Sequence, residues 1–293
     1  MRFLDYLVMD VLEAVKREML RRRLSRKTIS TYLFYIRKFL LFCHKEPREF
    51  SKKDCRLFLE MFMGKKFSLV AKKKAINDDI SGSTLNVVLN SLRFMMEEVL
   101  RKSMRLNIRY SKTPKSLPAC LSRDEVRMLI DSITNQKHKM IVSLMYGSGL
   151  RVGEVVKLKK EDILLAQDIG WVRHGKGDKD RPFIIPECLK TDIESIISKI
   201  NNCNYLFYGN KKTHISVRTV QVIVKITAIK VGINANIHSH TLRHSFSTHL
   251  LESGSDVTVV QSLLGHNEAR TTLNYLHVAK PKLISVRSPL DSL

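Results

Sequence analysis

Apolar residues recur at helical spacing through most of the first hundred positions. In SRKTISTYLFYIRKFLLFC, residues 25–43, Ile29, Leu33, Ile36, Leu40 and Leu41 fall on one side of a helix, with Ser25 or Thr28 available as its cap. KKDCRLFLEMFM, residues 52–63, repeats the pattern. TLNVVLNSLRFMMEEVL, residues 84–100, places Leu85, Leu89, Leu92, Met96 and Leu100 on one stripe. The intervening GKKFSLVAKKKAINDDISGS, residues 64–83, is basic and weakly periodic, and reads as a long loop or a short frayed helix. The prediction for this part is a small basic helical bundle.

Pro114 and Pro118 in NIRYSKTPKSLPAC break the helical pattern, and the exposed charge of that stretch marks a linker over 109–120 between a helical domain, 1–108, and a second domain, 121–293. The second domain opens on SRDEVRMLIDSI, where Ser122 and Glu125 form the S-x-x-E capping box. The pattern then changes. GWVRHGKGDKDRPFIIP reads as a hairpin, with Trp171–Arg173 and Phe183–Ile185 as strands and GKGDKD as the turn. Helices return in SVRTVQVIVKITAIKVG, ending at Gly232, and in SHTLRHSFSTHLLESG, capped by Ser239 and stopped at Gly254. DVTVVQSLLG and EARTTLNYLHV complete the set. The expected fold class is mainly α with a small β-sheet (α+β), in two domains.

Charge narrows the function. The 293 residues carry a formal net charge of +23, with 26 Lys/Arg against 12 Asp/Glu in residues 1–114 and 25 against 16 in the rest. Both halves are therefore basic, and a foldable chain of this kind suits a polyanion, nucleic acid being the commonest. A membrane is disfavoured: no run of about 18 apolar residues occurs, and Asp5, Asp10 and Glu13 interrupt the opening segment where a signal peptide would be apolar. A cytoplasmic location is expected. Cys43, Cys55, Cys120, Cys188 and Cys203 are odd in number and without C-x-x-C spacing, which reads as reduced, mostly buried thiols.

Four separated pieces carry candidate chemistry: Arg151 in GSGLRVGEVVKL, Lys176 in the hairpin turn, His240 with Arg243 in HTLRH, and His266 with Tyr275 in LLGHNEARTTLNYLHV. Each alone has an ordinary structural reading. His240 and His244, four apart on a helix, also have metal-ligand spacing, but no third ligand follows at a recognised interval and no H-E-x-x-H occurs.

Taken in order, the pieces resemble the tyrosine recombinases, or phage-type integrases. Arg151 in GLRVGEVVKL is similar to that family's first arginine box, with Glu154 at its acidic position. Lys176 matches the lysine of its β-hairpin, His240 and Arg243 its H-x-x-R pair, His266 its next histidine, and Tyr275, nine residues further, its nucleophile. The resemblance covers the second domain throughout and the first more loosely, as a helical core-binding domain. The ending SVRSPLDSL is similar to the tails of Xer-type recombinases, archaeal ones included.

The resemblance implies a two-domain clamp on DNA in which Tyr275 attacks a DNA phosphorus, forms a 3′-phosphotyrosine and expels a 5′-hydroxyl. Arg151 and Arg243 would bind the non-bridging oxygens, Lys176 would protonate the leaving oxygen, His240 would accept a proton, His266 would donate to the scissile phosphate, and Glu154 would orient the site. No cofactor, metal or ATP is implied, since the retained ester drives rejoining. The implied partners are a double-stranded recombination site and further copies of the chain, a tetramer on two duplexes held by residues 279–293. Chromosome dimer resolution at a dif-like site, integration or excision of a mobile element, and a type IB topoisomerase share this chemistry. A DNA-binding regulator on the same fold would need none of it.

Overall fold

The computed structural model describes residues 2–63, 80–102, 119–175, 179–200, 203–209, 213–233 and 237–265, with side chains of the first helix described from Val8 onward. The chain divides into two compact units, Met1–Lys115 and Ser116–Leu293.

The first unit is helical among its described residues: α1 (Arg2–Arg21), α2 (Arg26–Cys43), α3 (Lys52–Met63) and α4 (Gly82–Arg93), the last running on into a π-helical segment, Phe94–Val99. Of the two candidate caps for α2, Ser25 is the one used, its Oγ accepting the Thr28 backbone N–H at 3.1 Å. Ser81 caps α4 in the same way, so this helix starts at Gly82, three residues before the first position of the apolar stripe, Leu85. Val15 and Met19 of α1, Ile36 and Phe39 of α2, Cys55 and Phe58 of α3, and Val88, Leu92, Met95 and Met96 form the centre of the core. Phe39 meets Phe50 and Phe58 edge-on at centroid distances of 5.3 and 5.4 Å. The predicted stripe on α2 is corrected at one position: Leu41 points to solvent, and Phe39, one step round the helix from Leu40, is buried instead. Residues 64–79, most of the predicted loop, lie outside the described residues.

The second unit is built round α6 (Gln136–Gly147), in which Met140 to Met145 are buried without a break. A helix apolar on every side belongs in the middle. Around it lie α5 (Arg123–Asp131), the short α7 (Val152–Val155), α8 (Lys190–Lys199), α9 (Val217–Lys230), α10 (Ser239–Glu252) and α11 (Val257–Leu264). The capping box on α5 is formed as its sequence indicates, Ser122 Oγ accepting from Glu125 N and Ser122 N donating to the Glu125 carboxylate. The small sheet has three antiparallel strands, one added to the predicted hairpin: β1 (Ile163–Leu164), β2 (Ile169–Val172) and β3 (Arg181–Ile184), in that order. β1 is two residues long, too short for its alternation to be read. The register pairs Val172 with Arg181 and Trp171 with Pro182, so β3 begins two residues earlier than predicted.

Two smaller features differ from the sequence reading. The N-cap of α10 is His238, and Ser239 is the first helical residue. All five cysteines are free, but only Cys55 and Cys203 are buried and Cys188 is exposed. Burial pushes the Cys43 and Cys55 thiols up to about 12, which leaves them inert at neutral pH. No helix among the described residues is long and apolar enough to cross a membrane.

Candidate active site

Helix α10 is buried along most of its length although it is rich in Ser, Thr and His. Burying such groups is tolerable only when each finds a partner. Ser245 Oγ donates to Thr241 O at 3.0 Å and accepts from Leu121 N at 2.9 Å, while Ser247 Oγ donates to Arg243 O at 2.8 Å. The polar character of α10 is thus spent on holding it in place, with Arg243 and His240 carried at its N-terminal end.

Arg151 is the N-cap of α7, in extended conformation. Val152 and Val155 anchor that single turn in the core and carry Glu154 back beneath Arg151. Glu154 then accepts from the Arg151 backbone N–H at 2.9 Å and from its Nη1 at 2.7 Å. The turn before it depends on Gly149, at φ +61°, where a Cβ would stand 2.4 Å from a Phe246 ring carbon of α10. A close approach of backbone to α10 therefore sets the distance between Arg151 and Arg243.

Arg243 Nη1 donates to Gly149 O at 2.5 Å and lies 3.8 Å from Glu154 Oε2, and its Nη2 donates to Leu264 O, the last carbonyl of α11. Its side chain is 4% exposed and that of Arg151 is 22% exposed. Arg151 is thus the more accessible of the two, and among the described residues its guanidinium donates to Glu154 alone. A third guanidinium, which sequence reasoning did not single out, completes the group: Arg181 Nη2 donates to Glu154 Oε2 at 2.7 Å. The alternation of β3, with Arg181 and Phe183 inward, was the available clue, because an arginine at an inward strand position needs a buried acceptor.

One carboxylate serves three guanidiniums, so the constellation carries surplus positive charge. Burial alone would raise the Glu154 carboxyl, but the Arg181 charge and the Arg151 donors outweigh it and hold the group below the usual carboxylate range. Glu154 is therefore ionised at neutral pH. The His240 pKa is lowered too, which for an imidazole favours the neutral form: burial first, then His238, Arg243 and Arg151, lower it, with Glu154 opposing. Its imidazole is neutral at pH 7 and able to accept a proton.

His244, one turn further along α10, has its pKa lowered to about 4 by burial and then by His240, Arg243 and His238. The unfolded chain binds this proton near pH 6.5 and the folded chain only near 4. Stability from this group is therefore complete above pH 6.5 and declines as pH falls toward 4, by at most about 3 kcal/mol and by less as solvent screens the partly exposed ring. Urea denaturation between pH 4 and 7 measures it. The decline should shrink by that amount in His244→Gln, and an unchanged pH profile would show that His244 is not the group responsible.

Lys176 lies outside the described residues, as do His266 and Tyr275. What is described is the neck of the hairpin: Arg173 stacks over Trp171 at 4.9 Å, its Nη1 donates to Asp180 at 2.8 Å, and Gly175 N donates to Lys179 O at 3.1 Å. Gly265, the residue before His266, closes α11 in the left-handed conformation at φ +60°. Among the described residues no group of three or more His, Cys, Asp or Glu is placed to hold a metal ion.

Residues 119–282 match the model of the phage integrase family, and residues 11–105 match the N-terminal SAM-like domain of phage integrases. The chain is 35% identical over 263 residues to the tyrosine recombinase XerA of Pyrococcus horikoshii, spanning 88% of this chain and 86% of that protein. Against the XerA of Pyrococcus furiosus it is 36% identical over 267 residues, with the same coverage. Among solved structures, a crystal structure of XerA recombinase superposes over 92% of this chain and 94% of its own, with a TM-score of 0.52 and 29% identity. The XerH site-specific recombinase bound to a palindromic difH substrate shares the fold, with a TM-score of 0.68 at 20% identity over 88% of this chain and 78% of that one.

Proposed function

Because the chain belongs to the phage integrase family of tyrosine recombinases, we propose that it cuts and rejoins duplex DNA at a dif-like site in the Xer manner, with Tyr275 as nucleophile. The observation that carries the reading is the shared Glu154 carboxylate, which draws Arg151, Arg181 and Arg243 together beside a neutral His240. A phosphodiester carries one negative charge and the phosphorane formed on attack carries more, so surplus positive charge fixed in advance stabilises the transition state over the ground state.

In the proposed step the Tyr275 oxygen bonds to phosphorus and passes its proton to His240. The bond from phosphorus to the 5′-oxygen breaks, and Lys176 protonates that oxygen as it leaves. Arg151 contacts a non-bridging oxygen, Arg243 supplies charge from beneath and His266 donates to the phosphate. The reverse attack by a 5′-hydroxyl reseals the strand. A phenol of pKa about 10 is some three units from ionised at pH 7, roughly 4 kcal/mol that the cationic pocket and base must supply.

The two units, with the break in residues 109–120, are proposed to grip DNA as a clamp, with four copies on two duplexes linked through residues 279–293. The reaction takes place in the cytoplasm, where the chromosome lies. If phosphate contacts supply the grip, affinity falls by about 10³ to 10⁵ between 50 and 200 mM salt for roughly 6 to 10 contacts. Salt titration of duplex binding checks this, and salt-independent affinity would contradict it. Mapping the bound DNA in its native genome tests the Xer role. One chromosomal site flanked by two inverted half-sites supports dimer resolution, whereas the ends of a mobile element would replace that role with integration.

A further inference from the structure

We infer that Arg181 is a positioning residue of the strand-transfer site, tying the hairpin to Glu154 and to the end of α11; this rests on the recombinase reading above. Three attachments carry it. Arg181 Nη2 holds Glu154 Oε2 at 2.7 Å, and Nη1 donates to Leu263 O at 2.6 Å. The side-chain stem packs on Gly265, the residue before His266 in sequence, where a Cβ would stand 2.5 Å from Arg181 Cδ, so that only glycine fits beside this arginine. The residue itself is the first of β3, paired with Val172 across the hairpin, five positions after Lys176.

These contacts come from three separate stretches of chain, each adjoining a residue that the proposed chemistry uses: Glu154 beside Arg151, Leu263 and Gly265 ahead of His266, and β3 after Lys176. Nothing in this arrangement presents Arg181 to DNA, since its side chain is 10% exposed and its Nε is buried with no hydrogen-bond partner among the described residues. Its effect runs through the groups it touches.

The charge arithmetic gives this role a signature. Glu154 is divided between Arg181 and Arg151, with Arg243 at longer range. With Arg181 gone, the buried carboxylate turns more fully to Arg151 and neutralises the guanidinium that faces the phosphate. The rate of strand cleavage then falls while duplex affinity, which depends on contacts spread over the basic surface, does not. Removing the carboxylate charge in the same molecule relieves the excess neutralisation.

The test compares the wild type with Arg181→Met, Arg181→Lys, Glu154→Gln and the double variant Arg181→Met/Glu154→Gln. Single-turnover cleavage of a nicked suicide duplex at saturating protein is measured beside the Kd for the same duplex at fixed salt. Arg181→Met should cut about 10- to 100-fold more slowly with Kd changed less than about threefold, in line with the sensitivity of rates to small misplacements. Arg181→Lys keeps the charge but not the two-ended grip, and should fall between it and the wild type. The double variant should cut at least about five times faster than Arg181→Met.

Wild-type rates in Arg181→Met, or a double variant no faster than Arg181→Met, would overturn the inference. Should Arg181→Met fail to fold, Arg181→Lys carries the test, and a wild-type rate in that variant has the same force. Absence of any adduct with the unmodified chain would overturn the strand-transfer reading itself, a result distinct from the others.

Discussion

Tyr275→Phe should form no SDS-resistant adduct with a nicked suicide duplex, under conditions in which the wild type becomes covalently joined to it. The loss should reach about four orders of magnitude or more, because phenylalanine has no oxygen with which to bond phosphorus and an activated nucleophile has no partial substitute. Duplex binding should persist, since one phenolic oxygen contributes little to a grip distributed over a chain of net charge +23. The two readouts together separate loss of chemistry from loss of fold. An adduct of undiminished yield in the variant would place the nucleophile on another residue.

Lys176→Ala should slow cleavage by about 10² to 10⁴, the range for loss of a positioned general acid. A sugar alkoxide leaves poorly without a proton, whereas a thiolate leaves without one. A substrate whose bridging 5′-oxygen is replaced by sulfur should therefore be cut by Lys176→Ala at close to the wild-type rate on the same substrate. If Lys176 only bound the phosphate, sulfur would bring no such recovery. Arg151→Ala should supply the contrast: in the proposed step it removes a contact to a non-bridging oxygen, so it should cost about 10² to 10³ and should not be relieved by a better leaving group.

Helical spacing in the first unit was readable because burial there depends on one apolar face per helix. Ile29, Ile36, Leu40, Leu85, Leu89, Leu92 and Met96 all reach the core. Leu41 and Phe39 were exchanged because an aromatic and an aliphatic residue one step apart straddle the edge of the stripe, and only the neighbouring Phe50 and Phe58 decide which turns inward. The π segment Phe94–Val99 left no trace in the pattern, since one extra residue in a turn shifts the stripe by less than its width. In the second unit the capping box at Ser122 was legible because it is purely local. β1 was not, being two residues that form a strand only because β2 is there to pair with.

For the site, motif order pointed to Arg151, His240 and Arg243, and the structure brings Arg151 and Arg243 to one carboxylate. Arg181 escaped notice because a basic residue in a run of GKGDKDR looks solvated until the pairing with β2 turns it inward. The accessibility order was hidden for a similar reason. Arg243 sits on a helix whose Ser, Thr and His content suggests exposure, and it is the hydrogen bonds of Ser245 and Ser247 that let this helix be buried.

The central claim is that phosphorus is transferred to the oxygen of Tyr275 with release of a 5′-hydroxyl. Digesting the wild-type adduct with protease and nuclease and weighing the peptides tests it directly. A peptide modified at Tyr275 by a nucleotide joined through its 3′-phosphate, alongside a released strand ending in a 5′-hydroxyl, is the predicted result. A nucleotide attached elsewhere in the chain, or joined through a 5′-phosphate, would contradict it.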